Sequence, residues 1–193
     1  MSDISEIKKK LRKKLSDLRN GLSLEYRETA DKFLFDRVVN SEAYLKSNVV
    51  LAYYPIKSEP QILPIVCRAI EDGKKVAFPV SNTNDFNLTF RYINGISELQ
   101  EGAYSIPEPP LTSPVYKGEG DALCIVPALS FDLRGRRMGY GKGFYDRFLS
   151  DFQGVAMGVC YSRLLTQELP YESFDKSVDI IITEKGEITI NAE

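Results

Sequence analysis

The stretch from Ala122 to Leu149 constrains this chain more than any other. Ala122-Leu123-Cys124-Ile125-Val126 is an unbroken apolar run ended by Pro127, the composition of a short strand buried on both faces. Gly135, Gly139, Gly141 and Gly143 follow among Arg134, Arg136, Arg137, Lys142 and Arg147, and Phe144–Leu149 then has the character of a helix. Glycine lets backbone N–H groups approach a ligand closely, and the first turn of a helix presents donors without intrahelical partners. The unit of strand, glycine-rich loop and helix therefore reads as an anion cradle, with phosphate as its natural guest. It matches neither standard nucleotide fingerprint. Gly135 and Gly141 enclose five residues where a Walker loop has four, Lys142 is followed by Gly143 instead of a hydroxyl residue, and Gly139-x-Gly141-x-Gly143 is not GxGxxG. On composition alone the ligand stays unnamed.

The flanking pattern alternates helices with strands. Ile4, Ile7, Leu11, Leu15, Leu18 and Leu22 recur at helical spacing, with Lys8, Lys9, Arg12, Lys13 and Arg19 assigned to the opposite face. Ser23 is placed to cap a second helix running to about Asn40. Val49–Tyr54 reads as a strand, Pro60–Asp72 as a helix closed by Gly73, and Val76–Phe78 as a strand, which together make a βαβ unit. Leu88–Tyr92 has the composition of a further strand. The prolines from Pro107 to Pro114 predict an ordered loop without regular structure. Val155–Tyr161, Val178–Thr183 and Ile188–Ile190 read as strands, and Arg163–Glu168 as a short helix. The expected fold is α/β, a three-layer sandwich with a mostly parallel central sheet preceded by two N-terminal helices. Such sheets bind ligands beyond the carboxyl ends of their strands.

The 193 residues are 43% apolar, which suits one domain spanning 1–193. A net charge of -2 makes the basic loop a local feature and argues against nucleic acid as a partner. No apolar stretch approaches the ~20 residues of a membrane span, and Met1–Lys10 lacks the apolar core of a signal peptide, so a cytoplasmic location is expected. Cys67, Cys124 and Cys160 each lie in apolar sequence and read as buried thiols, not as a disulfide framework or a zinc site. Histidine is absent, which removes His-based triads and HExxH metal sites. Chemistry is left to carboxylates, lysines, arginines, backbone and metal.

Val126-Pro127-Ala128-Leu129-Ser130-Phe131-Asp132, followed by Gly135-x-Arg137-Met138-Gly139-x-Gly141-x-Gly143-x-Tyr145-Asp146-Arg147, closely resembles the signature of the 5-formyltetrahydrofolate cyclo-ligase family, also called 5,10-methenyltetrahydrofolate synthetase. Lys8-x-x-Leu11-Arg12 resembles that family's N-terminal basic helix. Tyr54-Pro55 with Glu59 resembles its substrate segment, and Ile106-x-Glu108-Pro109 and Leu169-Pro170 through Thr183 resemble its later landmarks. The resemblance spans nearly the whole chain. Two departures are Met138, where leucine is usual, and Phe174 before Asp175, where many bacterial relatives carry histidine.

The resemblance implies conversion of 5-formyltetrahydrofolate to 5,10-methenyltetrahydrofolate at the cost of ATP, with Mg²⁺ as cofactor, in a monomer whose partners are small molecules. It assigns ATP contacts to Lys8, Arg12, Arg137, Met138, Gly139, Tyr140, Gly141, Lys142, Gly143, Phe144 and Tyr145. It assigns folate contacts to Tyr54, Glu59, Tyr140, Gly141, Lys142, Gly143 and Phe144, catalytic roles to Arg137 and Lys142, and metal ligation to Asp146 and Asp175. Without it, Tyr54 is a strand-end tyrosine, Glu59 an exposed loop acid and Asp175 a loop or capping aspartate. Asp146 is then an acid favoured by the helix dipole, and the basic helix face serves only solubility. Two rivals stand beside it: another enzyme on a related scaffold, such as a phosphosugar isomerase or acyl-CoA transferase, and a nucleic-acid module using the basic helix and the arginine loop.

Overall fold

The computed structural model describes residues 4–190. Two helices, α1 (Ile4–Asn20) and α2 (Leu24–Val39), precede a one-turn helix α3 (Glu42–Lys46) and the first strand, β1 (Val49–Leu51). The Ser23 hydroxyl caps α2 by accepting the Tyr26 N–H at 3.2 Å. Helix α4 (Leu63–Glu71) leads to β2 (Lys75–Ser81) and β3 (Leu88–Ile93), and two minor strands β4 (Gln100–Glu101) and β5 (Pro107–Glu108) pair with each other. Next come β6 (Ala122–Val126), the small hairpin of β7 (Ser130–Phe131) and β8 (Arg137–Met138), and α5 (Phe144–Asp151). Strands β9 (Val155–Val159), β10 (Ile180–Thr183) and β11 (Gly186–Thr189) complete the chain.

Seven strands form the main sheet in the order β11-β10-β9-β6-β1-β2-β3. Pairings among β2, β1, β6, β9 and β10 are parallel, whereas β3 and β11 close the two edges antiparallel. Side chains alternate across it. Val50, Leu123, Ile125, Met157 and Ile182 face a core closed by Leu34 and Val38 of α2, Tyr44 of α3, and Ile65 and Val66 of α4. Val49, Leu51, Cys124, Val126 and Ala156 face a second core, which Tyr145, Phe148 and Leu149 of α5 cover. Every residue of β6 is buried, as the apolar run required, because helices lie on both its faces. The three-layer α/β expectation holds, with the parallel β1/α4/β2 unit in place. Among the described residues no helix is long and apolar enough to cross a membrane.

Several local expectations change. The α4 helix begins at Leu63, after Pro60, and not at Pro60 itself. Val49–Tyr54 narrows to a three-residue strand, because Tyr53 and Tyr54 leave the sheet at its carboxyl edge. The proline-rich segment does carry regular structure: Pro107–Glu108 pairs antiparallel with Gln100–Glu101. A proline at the first position of a minor strand costs that pairing little. The expected helix at Arg163–Glu168 is a single 3₁₀ turn, Ser162–Leu164. Cys67 is exposed on α4, contrary to the buried reading that holds for Cys124 and Cys160. Apolar neighbours in sequence did not decide which side of a one-sided helix the thiol took.

Candidate functional site

Strand order reverses between β1 and β6, since the chain passes from β1 outward to β2 and then returns to the other side of β1. In open α/β sheets such a switch point leaves a crevice at the carboxyl ends of the strands, because the connections diverge there. The segments that leave β1 (Tyr53 to Glu59) and β6 (Pro127 onward) border that crevice. It divides into a polar cleft of about 700 Å³ and a more apolar cavity of about 380 Å³, with Gly141, Lys142 and Gly143 bordering both.

The turn between β8 and α5 is shaped by its glycines. Gly141 has φ +94° and Gly143 φ +73°, in the left-handed region that favours glycine. Gly143 is also the residue from which α5 starts, with no side chain capping it, so the first N–H groups of α5 and the dipole are left to a ligand in the polar cleft. Arg12 from α1 lies across the turn and donates through Nε to the Gly139 carbonyl at 3.0 Å. Arg147 donates to the Lys142 carbonyl at 3.0 Å. Both guanidinium groups press on the glycines: a Cβ at Gly141 would meet Arg12 at 3.1 Å, and one at Gly143 would meet Arg147 at 2.8 Å.

The upstream half of the glycine-arginine stretch does different work. Gly135 tops the β7–β8 hairpin, where buried Asp132 accepts the N–H groups of Arg134 and Arg136 at 2.9 and 3.0 Å. Arg134 and Arg136 turn toward Glu168, at 3.7 and 3.4 Å, and Arg136 lies over Tyr171. Neither borders the two cavities, so the cradle contracts to Gly139–Gly143. Sequence spacing alone does not separate a tight hairpin from the glycine turn beside it.

Carboxylates in the cleft are paired with cations. Lys8 Nζ donates to Asp175 and Glu172, both at 2.7 Å. Burial pulls the Lys8 pKa down, but these two carboxylates outweigh it and leave the ammonium above its ordinary range. Arg137 Nη2 donates to Asp146 Oδ1 at 2.6 Å, and the same oxygen accepts the Lys176 N–H at 3.1 Å. Among the described residues the Nε of Arg137 is buried without a hydrogen-bond partner. Phe174 lies at the rim of the cleft, largely exposed, with Lys8 Nζ 5.5 Å from its ring centre.

The apolar cavity has Tyr54, Ile106, Tyr104, Phe144 and Tyr145 on its walls, with Glu59 and Glu108 among its acids. Glu59 is 2% exposed, which overturns its reading as an exposed loop acid. Burial raises its pKa, opposed by the Tyr140 hydroxyl, the Ile56 N–H, Arg19 and Lys57. Tyr140 donates its hydroxyl proton to Glu59 Oε1, and burial together with that neighbouring carboxylate raises the phenol's pKa. Glu108 is also buried and accepts the Ser81 N–H at 3.0 Å.

Every residue nominated from the sequence borders one or both cavities. Lys8, Arg12, Gly141, Lys142, Gly143, Asp146 and Asp175 border both, while Tyr54, Glu59, Arg137, Met138, Gly139, Tyr140, Phe144 and Tyr145 border the apolar one. Three features were missed. Arg19 is 1% exposed beneath the site, and Tyr104 and Glu108 line it. Helix α1 is rotated from its expected orientation: Lys8, Leu15 and Arg19 are buried, whereas Ile7 and Leu18 are 41% and 45% exposed. The available signal was that Arg19 sits four residues after Leu15 and three before Leu22, within the apolar stripe.

The model of the 5-formyltetrahydrofolate cyclo-ligase family matches residues 4–184. A 5-formyltetrahydrofolate cyclo-ligase of Mycolicibacterium smegmatis is 30% identical over 73% of this chain and 76% of its own length. That of Escherichia coli K12 is 26% identical over 86% and 93%. Among solved structures, the 5,10-methenyltetrahydrofolate synthetase of Aquifex aeolicus superposes with a TM-score of 0.85 at 30% identity, covering 97% of this chain and 94% of that one. The synthetase of Mycoplasma pneumoniae, at 21% identity and a TM-score of 0.73 over 92% and 98%, shares the fold. With its signature folded into the floor of one bipartite crevice, this chain belongs to the 5-formyltetrahydrofolate cyclo-ligase family.

Proposed function

We propose that the protein converts 5-formyltetrahydrofolate and ATP to 5,10-methenyltetrahydrofolate, ADP and phosphate, acting in the cytoplasm as a one-domain monomer. The observation that carries this reading is that one cationic glycine turn, through Gly141, Lys142 and Gly143, borders both a polar cleft and an apolar cavity containing a buried carboxylate. A triphosphate suits the first, where helix α5 begins and Arg12, Lys142 and Arg147 converge. A pterin suits the second, with aromatic walls and Glu59 to accept ring N–H donors. With the two ligands so seated, the shared turn would bring the terminal phosphate of one beside the formyl group of the other.

The chemistry needs no histidine. A formamide oxygen is a poor leaving group, so it first attacks the γ-phosphorus, forming an O–P bond as the bond to the ADP oxygen breaks. Being a carbonyl oxygen, it has no proton to lose. Charge on the transferred phosphoryl group is met by Lys142, Arg137 and the N–H groups of the turn. Nitrogen 10 of the same folate then forms a bond to the activated carbon, the C–O bond breaks, phosphate leaves with the electron pair, and the proton of nitrogen 10 passes to solvent. Holding the folate in a reactive conformer is the protein's main contribution to this step.

Asp146 and Asp175 would hold Mg²⁺. Both are hard carboxylates on the cleft, but among the described residues no group of three or more such ligands is assembled for a metal. That fits an ion shared with phosphate oxygens and water, which is how Mg²⁺ is usually held, and it does not fit an all-protein cage. When bound, the ion would neutralise phosphate charge, while Lys8 and Arg137 already hold the two aspartates in place.

The test is to mix protein, 5-formyltetrahydrofolate, ATP and Mg²⁺ and follow the conjugated methenyl product in the near ultraviolet. Product that depends on both ATP and Mg²⁺ is expected, and absence of product at any nucleotide concentration removes the proposal.

A further inference from the structure

Arg19 is a guanidinium taken almost wholly out of water, and its donors go to three different segments. Nε donates to Ser58 Oγ at 3.2 Å, in the loop after β1, and Ser58 in turn donates to Asn20 Oδ1 at 2.6 Å. Nη1 donates to the Ala128 carbonyl at 3.3 Å, just past β6, and lies 3.7 Å from Glu59 Oε1. Nη2 donates to the Tyr140 hydroxyl at 2.9 Å, at the tip of the glycine turn. Tyr140 in turn donates its hydroxyl hydrogen bond to Glu59 Oε1, and the other Glu59 oxygen accepts the Ile56 N–H at 2.9 Å. One fork thus joins α1, both sides of the strand-order switch and the glycine turn.

We propose that Arg19 is a positioning residue for the reaction: it fixes the Glu59 carboxylate in the apolar cavity and locks the Tyr140 hydroxyl, so that the folate-facing acid and the phosphate turn keep one relative placement. The inference rests on the folate reading of that cavity. Its physical basis is geometric. A planar guanidinium offers donors in a fixed fork, which a lysine's single ammonium cannot reproduce across Ser58, Ala128 and Tyr140 together. A buried ion pair is by itself weak grounds for stability, since desolvation offsets its attraction. Here the pair sits where two ligands must be held in register, and 1 Å of misplacement costs turnover steeply.

The electrostatic consequence has a definite sign. Glu59 is faced by Arg19 from α1, Tyr140 from the glycine turn, Tyr53 from the end of β1, Tyr145 from α5, and Lys57 and the Ile56 N–H from its own loop. Burial raises the carboxyl's pKa and Arg19 opposes that rise. Removing the cation therefore lets the pKa climb further, and a ligand that needs the carboxylate is lost at a higher pH than before.

The experiment compares wild type, Arg19→Lys, Arg19→Gln and Tyr140→Phe by the methenyl absorbance assay, with KM for 5-formyltetrahydrofolate and for ATP measured across pH and folding checked by circular dichroism. Arg19→Lys is expected to raise the folate KM about 10- to 100-fold, the scale of hydrogen bonds to charged groups, and to leave the ATP KM within about threefold. In Arg19→Gln the acid limb of the folate 1/KM profile moves to higher pH. Tyr140→Phe keeps the ring that borders the site and loses only the hydroxyl that meets Arg19 and Glu59, so it serves if the Arg19 variants do not fold, and a rise in the folate KM is expected. Wild-type folate KM and an unmoved acid limb in the folded variants overturn the inference, as does equal loss for ATP and folate that follows Tm alone. If the wild type itself makes no methenyl product, the proposed function fails and this role of Arg19 falls with it, whereas an active wild type with unmoved variants overturns the role alone.

Discussion

Arg137 and Asp146 are joined by a 2.6 Å hydrogen bond that closes the glycine turn from its two ends, one partner on β8 and the other in the first turn of α5. The Arg137 side chain is 6% exposed, so it is a structural strut as well as a cation. Among the described residues Lys142 makes no such bond to a carboxylate, and its Nζ lies 5.5 Å from the Phe86 ring centre. The two catalytic nominees should therefore behave differently when removed.

Lys142→Ala is expected to lower kcat/KM about 10²- to 10³-fold, the usual loss for a group that meets transition-state charge, with Tm essentially unchanged. Arg137→Ala is expected to lower turnover comparably and also to cost about 2 kcal/mol of stability, because it strands a partly buried Asp146. Paired kinetics and thermal melts check both. A Lys142→Ala enzyme with wild-type kinetics excludes that lysine from the reaction.

The glycines divide in the same way. Gly135 has φ +76°, and a Cβ there would be driven into the Val178 carbonyl, a backbone atom that cannot swing aside. Gly135→Ala should cost at least about 2 kcal/mol of stability. At Gly141, φ +94°, an alanine is strained as well, but its Cβ meets only the Arg12 guanidinium, the far end of a flexible side chain, so Gly141→Ala should cost less stability than Gly135→Ala and should also lose nucleotide affinity. Urea unfolding alongside ADP titration separates the two outcomes, and equal stability loss in both variants contradicts the division.

Much of this was legible in the chain. The run Ala122–Val126 read as a strand buried on both faces and is one, and its glycine turn and α5 followed in order. What the sequence hid were choices made by tertiary context. Periodicity put Ile7 and Leu18 on the buried face of α1, yet the helix lies over polar loops at the sheet's carboxyl edge, so Lys8 and Arg19 turn inward to meet Asp175 and Glu59. Glycine spacing could not show that Arg134 and Arg136 leave the cradle for Glu168, and proline content concealed the pairing that buries Glu108.

Thiol chemistry offers a check on the burial pattern. Burial pushes the Cys160 thiol up to about 12 and the Cys124 thiol higher still, whereas Cys67 is exposed on α4. A thiolate-selective reagent at pH 8 should modify one cysteine in the folded protein and all three after denaturation. Labelling at Cys67 should leave turnover unchanged, since α4 lies away from both cavities. More than one equivalent taken up at pH 8 without unfolding disagrees with this packing.

The metal assignment separates Asp146 and Asp175 from the cations that hold them. Asp146 is bonded to Arg137, and Asp175 to Lys8, so either Asp→Asn change also weakens an ion pair, and lost activity alone says little. Dependence on Mg²⁺ concentration is the discriminating readout. With fewer negative ligands the cleft should hold the ion less tightly, and the half-saturating Mg²⁺ for product formation should rise roughly tenfold in Asp146→Asn. Asp175→Asn should move it in the same direction. Lys142→Ala leaves every carboxylate in place, so its Mg²⁺ requirement should stay near that of the wild type even as turnover falls. If Asp146→Asn and Asp175→Asn reach half-saturation at the wild-type Mg²⁺ concentration, these aspartates position Arg137 and Lys8 and do not bind the metal.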